Sequence, residues 1–164
     1  MAMLFWDASA LVKRYTAEVG RETANAIFSE KRHHDMVSTP WGYAETYSIL
    51  LRRMNGAVID LGAFTSAVSA LQSEVVRDPQ FGLLSITDAH VFSSIETMRR
   101  HNLNSTDAIL LTVLLEFTHS PGAPNCALIS SDHRFLRAAA GEGLSTLNPE
   151  VLVPAEIPDT LARL

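Results

Sequence analysis

The sequence predicts a three-layer α/β domain with a short, mostly parallel central sheet. Short apolar runs alternate with longer segments of helical periodicity along the chain. Those runs are solidly apolar rather than alternating, the pattern of strands covered by helices on both faces. No repeat, low-complexity tract or linker divides the 164 residues, a length that suits one domain with a full core.

The elements follow in order. Met3 to Trp6 is read as a strand, and Ser9 to Tyr15 and Glu18 to Glu30 as helices, with Gly20 a weak point in the second. Met36 to Ser38 is a short strand before Pro40. Trp41 to Met54 is a helix stopped by Asn55-Gly56. Val58 to Val76 is a long helix ended by Asp78-Pro79, and Leu83 to Ile86 a strand. Thr87-Asp88 caps a helix to about His101, and Asn104-Ser105 caps another to about Thr118. The proline-rich stretch 120–124 is a loop. Cys126 to Ser130 is a strand, Asp132 to Ala140 a helix, 141–143 a turn, and Leu144 to Leu147 the last strand.

Composition narrows the chemistry. Hydrophobic residues make up 47% and charged residues 19%, a globular balance. The single cysteine, Cys126, lies in an apolar run and is expected to be a buried thiol in a reducing compartment. The N-terminal run lacks the basic-then-apolar pattern of a signal peptide, and the stretch Ala108 to Phe117 is too short to span a bilayer. A cytoplasmic protein is the expectation. The net charge of −5 argues against a simple nucleic-acid binder. With four of the 18 acids set against bound cations, however, the rest nearly balance the 13 Lys and Arg, so any affinity for nucleic acid must be local.

Four acids stand in informative places. Asp7 and Asp132 each follow an apolar run and precede a helix. Each is therefore an N-cap, a site residue, or both. Open parallel sheets bind ligands outside the carboxyl ends of their strands, so both acids are expected on that edge. Two carboxylates brought together there repel unless a cation lies between them. Asp107 has Leu103, Leu110 and Leu111 at helical spacing and no basic neighbour. Either it is a partly exposed first-turn acid, or it is held for a purpose near an apolar face. A helix N-terminus offers only ~0.3–1 kcal/mol in return. Glu45 has Trp41, Gly42, Ser48 and Ile49 at that spacing and no cation, whereas exposed helix glutamates often have one. An all-oxygen set suits Mg²⁺ or Mn²⁺ rather than zinc, and two such ions could share four acids against a phosphodiester.

At these residues the sequence resembles the PIN-domain ribonucleases, particularly the VapC-type toxins of toxin–antitoxin pairs. The resemblance runs from Trp6-Asp7-Ala8-Ser9-Ala10-Leu11-Val12-Lys13-Arg14-Tyr15 through Pro40-Trp41-Gly42-Tyr43-Ala44-Glu45 and Leu103-Asn104-Ser105-Thr106-Asp107-Ala108. It continues through Leu128-Ile129-Ser130-Ser131-Asp132-His133-Arg134-Phe135 and on to Asn148-Pro149. It implies Mg²⁺- or Mn²⁺-dependent hydrolysis of RNA leaving a 3′-hydroxyl, with Asp7, Glu45, Asp107 and Asp132 as metal ligands. Ser9 corresponds to the hydroxyl beside the first acid. Ser130 stands where the family often has Thr. Leu110 and Leu111 stand where many relatives have a His. The resemblance also implies a homodimer and a small antitoxin that blocks the pocket.

Two other readings remain open. A non-catalytic PIN-like binding module would be favoured by loss of acids, and all four are present. A phosphatase with Asp7 as nucleophile expects a second Asp where Ser9 stands. Lys13, Arg14, Arg52, Arg53, Arg99, Arg100 and Arg134 are candidates for phosphate contact. Adjacent His33 and His34, with Asp35, do not make a zinc site, because neighbouring helix residues point apart. Phe5, Trp6 and Phe64 are expected in the core rather than stacked on bases, and so is the apolar stretch Ile109 to Leu115, which is otherwise a dimer face.

Overall fold

Every residue of strand β1 (Met3–Trp6) is buried, and its side chains divide between two cores. Leu4 and Trp6 enter one hydrophobic cluster, while Met3 and Phe5 enter the other. This alternation about a doubly covered strand is what a solid apolar run allows. The computed structural model describes residues 2–30 and 35–164. Around β1 lie β2 (Asp35–Ser38), β3 (Phe81–Leu83), β4 (Cys126–Ile129) and β5 (Ser145–Leu147). All pairings are parallel, in the order β3-β2-β1-β4-β5.

Helices cover both faces. The Leu4/Trp6 side packs against α1 (Ala8–Leu11), α2 (Arg21–Ser29), α3 (Pro40–Asn55), α4 (Leu61–Leu71) and the C-terminal α8 (Ile157–Leu161). On the Met3/Phe5 side lie α6 (Ser105–Thr118) and α7 (His133–Gly141). Helix α5 (Asp88–His101) packs against α6 and contributes Met98 to this core. Phe5 and Trp6 are fully buried, Phe64 packs against the first core, and Ile109–Leu111, Val113 and Leu114 are buried, as expected of core residues.

Several boundaries differ from expectation. The first helix is split, with α1 followed by a 3₁₀ turn, Val12–Arg14. Helix α2 starts at Arg21 rather than Glu18, because Gly20 takes φ +87°, a left-handed conformation no helix interior uses. The long helix expected from Val58 starts at Leu61, where the Asp60 side chain caps it by accepting from the amide of Ala63 at 2.7 Å. Its last turn, Gln72–Val76, is wound as π-helix. The strand expected at Leu83 to Ile86 lies earlier, at Phe81–Leu83, where its partners Met36, Val37 and Ser38 are. The C-terminal stretch, whose sequence carries no clear periodicity, forms a 3₁₀ turn, Pro154–Glu156, and α8, with Ile157 and Leu161 in the core. Thr87 and Asn104 cap α5 and α6 as read. His33 and His34 lie outside the described residues.

The order reverses between β1 and β4, so the crevice expected of such sheets opens at their carboxyl ends. Asp7 follows β1, and Ser130 to Asp132 follow β4. Helix α3 is brought over the same edge by Gly42, whose Cα hydrogen faces the buried Ser38. A Cβ there would lie 2.5 Å from the Ser38 hydroxyl oxygen. That hydroxyl donates to the carbonyl of Trp6 at 2.8 Å. The first turn of α3 therefore rests directly on the ends of β1 and β2, and Glu45 follows one turn later.

Candidate functional site

Asp7 is 5% exposed, and its carboxylate is held by two hydroxyls. Ser9 Oγ donates to Asp7 Oδ2 at 2.5 Å and Ser130 Oγ donates to the same oxygen at 2.9 Å. Each hydroxyl has one proton, and both protons are used here, so the 3.1 Å approach between the two serine oxygens is a contact rather than a third bond. Their lone pairs accept backbone amides of the β4–α7 loop: Ser131 N–H on Ser9 Oγ at 2.9 Å, Asp132 N–H on Ser130 Oγ at 3.0 Å. Asp7 also accepts the amide of Ser9, so it is the N-cap of α1 as well as the anchor of this network. Burial drives its pKa upward, and the hydroxyl bonds offset only part of that.

Asp132 is likewise an N-cap: its Oδ1 accepts the amides of Arg134 at 2.7 Å and Phe135 at 3.0 Å. Asp107 sits in the first turn of α6, half-buried, and shares a reciprocal pair of bonds with Asn104. The amide of Asp107 donates to Asn104 Oδ1 at 2.9 Å, and Asn104 Nδ2 donates to Asp107 Oδ2 at 2.7 Å. Glu45 is half-buried on α3, and its carboxylate has no hydrogen bond among the described residues. The cap readings of Asp7 and Asp132 and the first-turn reading of Asp107 are therefore all correct locally, and all leave each acid on the same edge.

Two of the acids, Asp107 and Glu45, feel the charges of the others. Burial, then the charges of Asp7 and Asp132, then that of Glu45, push Asp107 up to about 7 from 3.8 against the bond from Asn104. Glu45 is raised by burial and by Asp7, with Arg52 acting in the opposite sense. Arg52 is seven residues beyond Glu45, two helical turns along the same face, beyond the three- and four-residue spacings searched in the sequence. Asp107 and Asp132 line an open cleft of ≈ 560 Å³ together with Asn104, Ser131, His133, Arg134 and Arg137.

The sequence matches the PIN domain family over residues 4–141. The chain belongs to the PIN domain family. Among solved structures, that of PAE2754 from Pyrobaculum aerophilum is similar over 96% of each chain, with a TM-score of 0.60 and 16% identity, a likeness of fold. The sequence has no significant match among curated proteins. PIN domains are generally nucleases, and such nucleases generally use divalent metals.

This PIN domain's own donors fit such an ion. They are hard carboxylate oxygens, with no histidine or thiolate among the four. The buried hydroxyl oxygen of Ser131, on the cleft beside Asp107 and Asp132, has no hydrogen-bond partner, which leaves a polar atom awaiting one. Among the described residues, no three His, Cys, Asp or Glu side chains already stand as a finished metal cage. Asp132 is bonded to the amides of its own helix, and one oxygen of Asp107 to Asn104.

The PIN domain sorts its basic residues in a way the sequence does not. Lys13 is 3% exposed and bonds Glu150 at 2.6 Å, Glu18 at 3.4 Å and the carbonyl of Val19 at 3.0 Å. Arg53 pairs with Glu18, Arg14 with Glu74, Arg99 with Glu96, and Arg100 with Glu142. All five have a carboxylate partner, Lys13 in the interior and Arg99 and Arg100 on the surface. Arg134 lies on the cleft, as does Arg137, which sequence reasoning passed over. So do Asn104 and Ser131. The available signals were the three-residue spacing of Asn104 from Asp107 and of Arg134 from Arg137.

Proposed function

We propose that this protein is a metal-dependent endoribonuclease that hydrolyses RNA phosphodiester bonds. The observation that carries the reading is electrostatic. Four acids from separate elements lie around the switch point of a PIN fold, near enough for Asp7, Asp132 and Glu45 to raise Asp107, and three of the four have pKa values raised by burial or repulsion. Asp7, Glu45, Asp107 and Asp132 would hold Mg²⁺ or Mn²⁺. When bound, such an ion supplies a Lewis acid for the phosphate oxygens and lowers the pKa of water. The chain's own part is to present charge in fixed positions. Ser9 and Ser130 keep Asp7 aimed from the end of β1 and tie it to the loop carrying Asp132. Asn104 holds one oxygen of Asp107 and leaves the other available. Ser9 spends its proton on Asp7, which disfavours the phosphatase reading, since that position has no acid to protonate a leaving group.

Purified protein is expected to cleave single-stranded RNA with Mg²⁺ or Mn²⁺, to stop in excess EDTA, and to resume when metal is returned. Cleavage undiminished by EDTA would overturn the metal role.

We further propose that the protein is a toxin, acting as a homodimer and inhibited by a small antitoxin. Exposed apolar side chains support the existence of protein partners: Trp41, Val58 and Leu61 around α3 and α4, and Phe92 and Ile95 on α5. No helix among the described residues is long and apolar enough to cross a membrane. Induced expression in a bacterial host without an antitoxin is expected to arrest growth, and the Asp7→Asn form is expected not to. Normal growth on induction of active enzyme would count against the toxin role.

A further inference from the structure

We propose that Arg134 and Arg137 form an anchor for the RNA backbone beside the acidic pocket. The proposal rests on the ribonuclease reading and says where the substrate lies. Helix α7 is pinned to the sheet by Phe135, Ala138 and Ala139, all buried. That leaves Arg134 and Arg137, one turn apart, exposed on the flank of the helix, where both line the cleft shared by Asp107 and Asp132. Neither makes an ion pair among the described residues. By contrast, Lys13, Arg14, Arg53, Arg99 and Arg100 each have a carboxylate partner. Asp132 is close in sequence to both arginines, yet its Oδ1 is taken by backbone amides. Two guanidinium groups are thus held next to carboxylates without being neutralised by them.

The electrostatics of the substrate call for such a pair. An RNA strand approaching four carboxylates is repelled, and a protein of net charge −5 offers no long-range attraction to offset this. A bound ion compensates at the phosphate being cut, but not at its neighbours. Arginine suits those neighbours, because its planar fork can meet a phosphate with two parallel hydrogen bonds. Two such contacts on one helix face would fix which phosphate reaches the acids.

The test is steady-state cleavage of a fluorescent single-stranded RNA in Mg²⁺ across a series of KCl concentrations. The Arg134→Gln/Arg137→Gln double variant is expected to show KM raised about tenfold at low salt, with the larger part of the loss in KM rather than kcat. Its plot of log KM against log salt should be shallower by about 1.4, or about 0.7 for each lost phosphate contact. The Arg134→Lys/Arg137→Lys protein should keep most of the slope, since the charges remain. Each single Gln variant should lose about half of the slope, and serves if the double variant folds poorly. Wild-type KM and slope in the Gln variants would overturn the anchor while leaving the nuclease reading intact. Failure of the wild-type protein to cut RNA with either metal would overturn both.

Discussion

Asp107→Asn is expected to abolish metal-dependent cleavage and, in the metal-free protein at pH 8, to raise the melting temperature. The two effects have one cause. Asp107 is half-buried and faces the charges of Asp7, Asp132 and Glu45, so its folded-state pKa lies near 7 instead of 3.8. An acid raised in this way stabilises the folded state below its unfolded pKa. That contribution is lost as pH rises from about 4 through about 7. Above that window the carboxylate is charged and repelled. After discounting for solvent screening, the penalty is roughly 1–2 kcal/mol, and its removal is worth roughly 2–8 °C in Tm. Asparagine keeps the size and can still bond Asn104, so the variant should melt higher than wild type at pH 8, with a flatter Tm profile between pH 4 and 7. Asp7 and Glu45 shift in the same direction and steepen the wild-type profile further. In the wild type, metal must displace the proton on Asp107, so apparent Mg²⁺ affinity should fall roughly tenfold per pH unit below 7. Asp7→Asn and Asp132→Asn should also abolish cleavage while folding normally. An active Asp107→Asn enzyme would show that the third ligand is elsewhere, and circular dichroism melts in EDTA decide the stability half.

Lys13→Ala is expected to destabilise the fold by roughly 2–3 kcal/mol, somewhat below the ~3–5 kcal/mol typical of breaking a fully buried pair. Lys13 is buried, but its partners Glu18 and Glu150 are partly exposed, and Glu18 retains Arg53. The lysine joins the 3₁₀ turn after α1 to the loop before α2 and to the segment after β5, three stretches the sheet alone does not bind together. Lys13→Met should lose less, because the aliphatic stem stays packed. Neither variant should change the salt dependence of KM, in contrast to the arginines of α7. A Lys13→Ala protein that melts like wild type but binds RNA less steeply with salt would move this lysine from the fold to the substrate.

The comparison of Lys13 with Arg134 shows where local reading ends. Both are basic residues near an acid of the site, and nothing in the neighbouring sequence separates them. Their fates depend on Glu150, 137 residues from Lys13, and on the backbone amides and Asn104 that hold the carboxylates beside α7. Element types, by contrast, were legible. Thr87, Asn104 and Asp132 cap helices through amides two or three residues away, and solid apolar runs announce doubly covered strands. The acids at the ends of β1 and β4 were legible for the same reason, since a cap is a local feature. The position of β3 was not, because an edge strand takes its register from a partner more than forty residues earlier. Helix α8 was missed because five residues carry too little periodicity, and it is the core that stabilises them. Short-range hydrogen bonding and burial pattern thus determined the elements and three of the four acids' settings. Which charges are spent on the fold and which remain free for a substrate was decided only when distant segments packed, because an ion pair is defined by both of its ends.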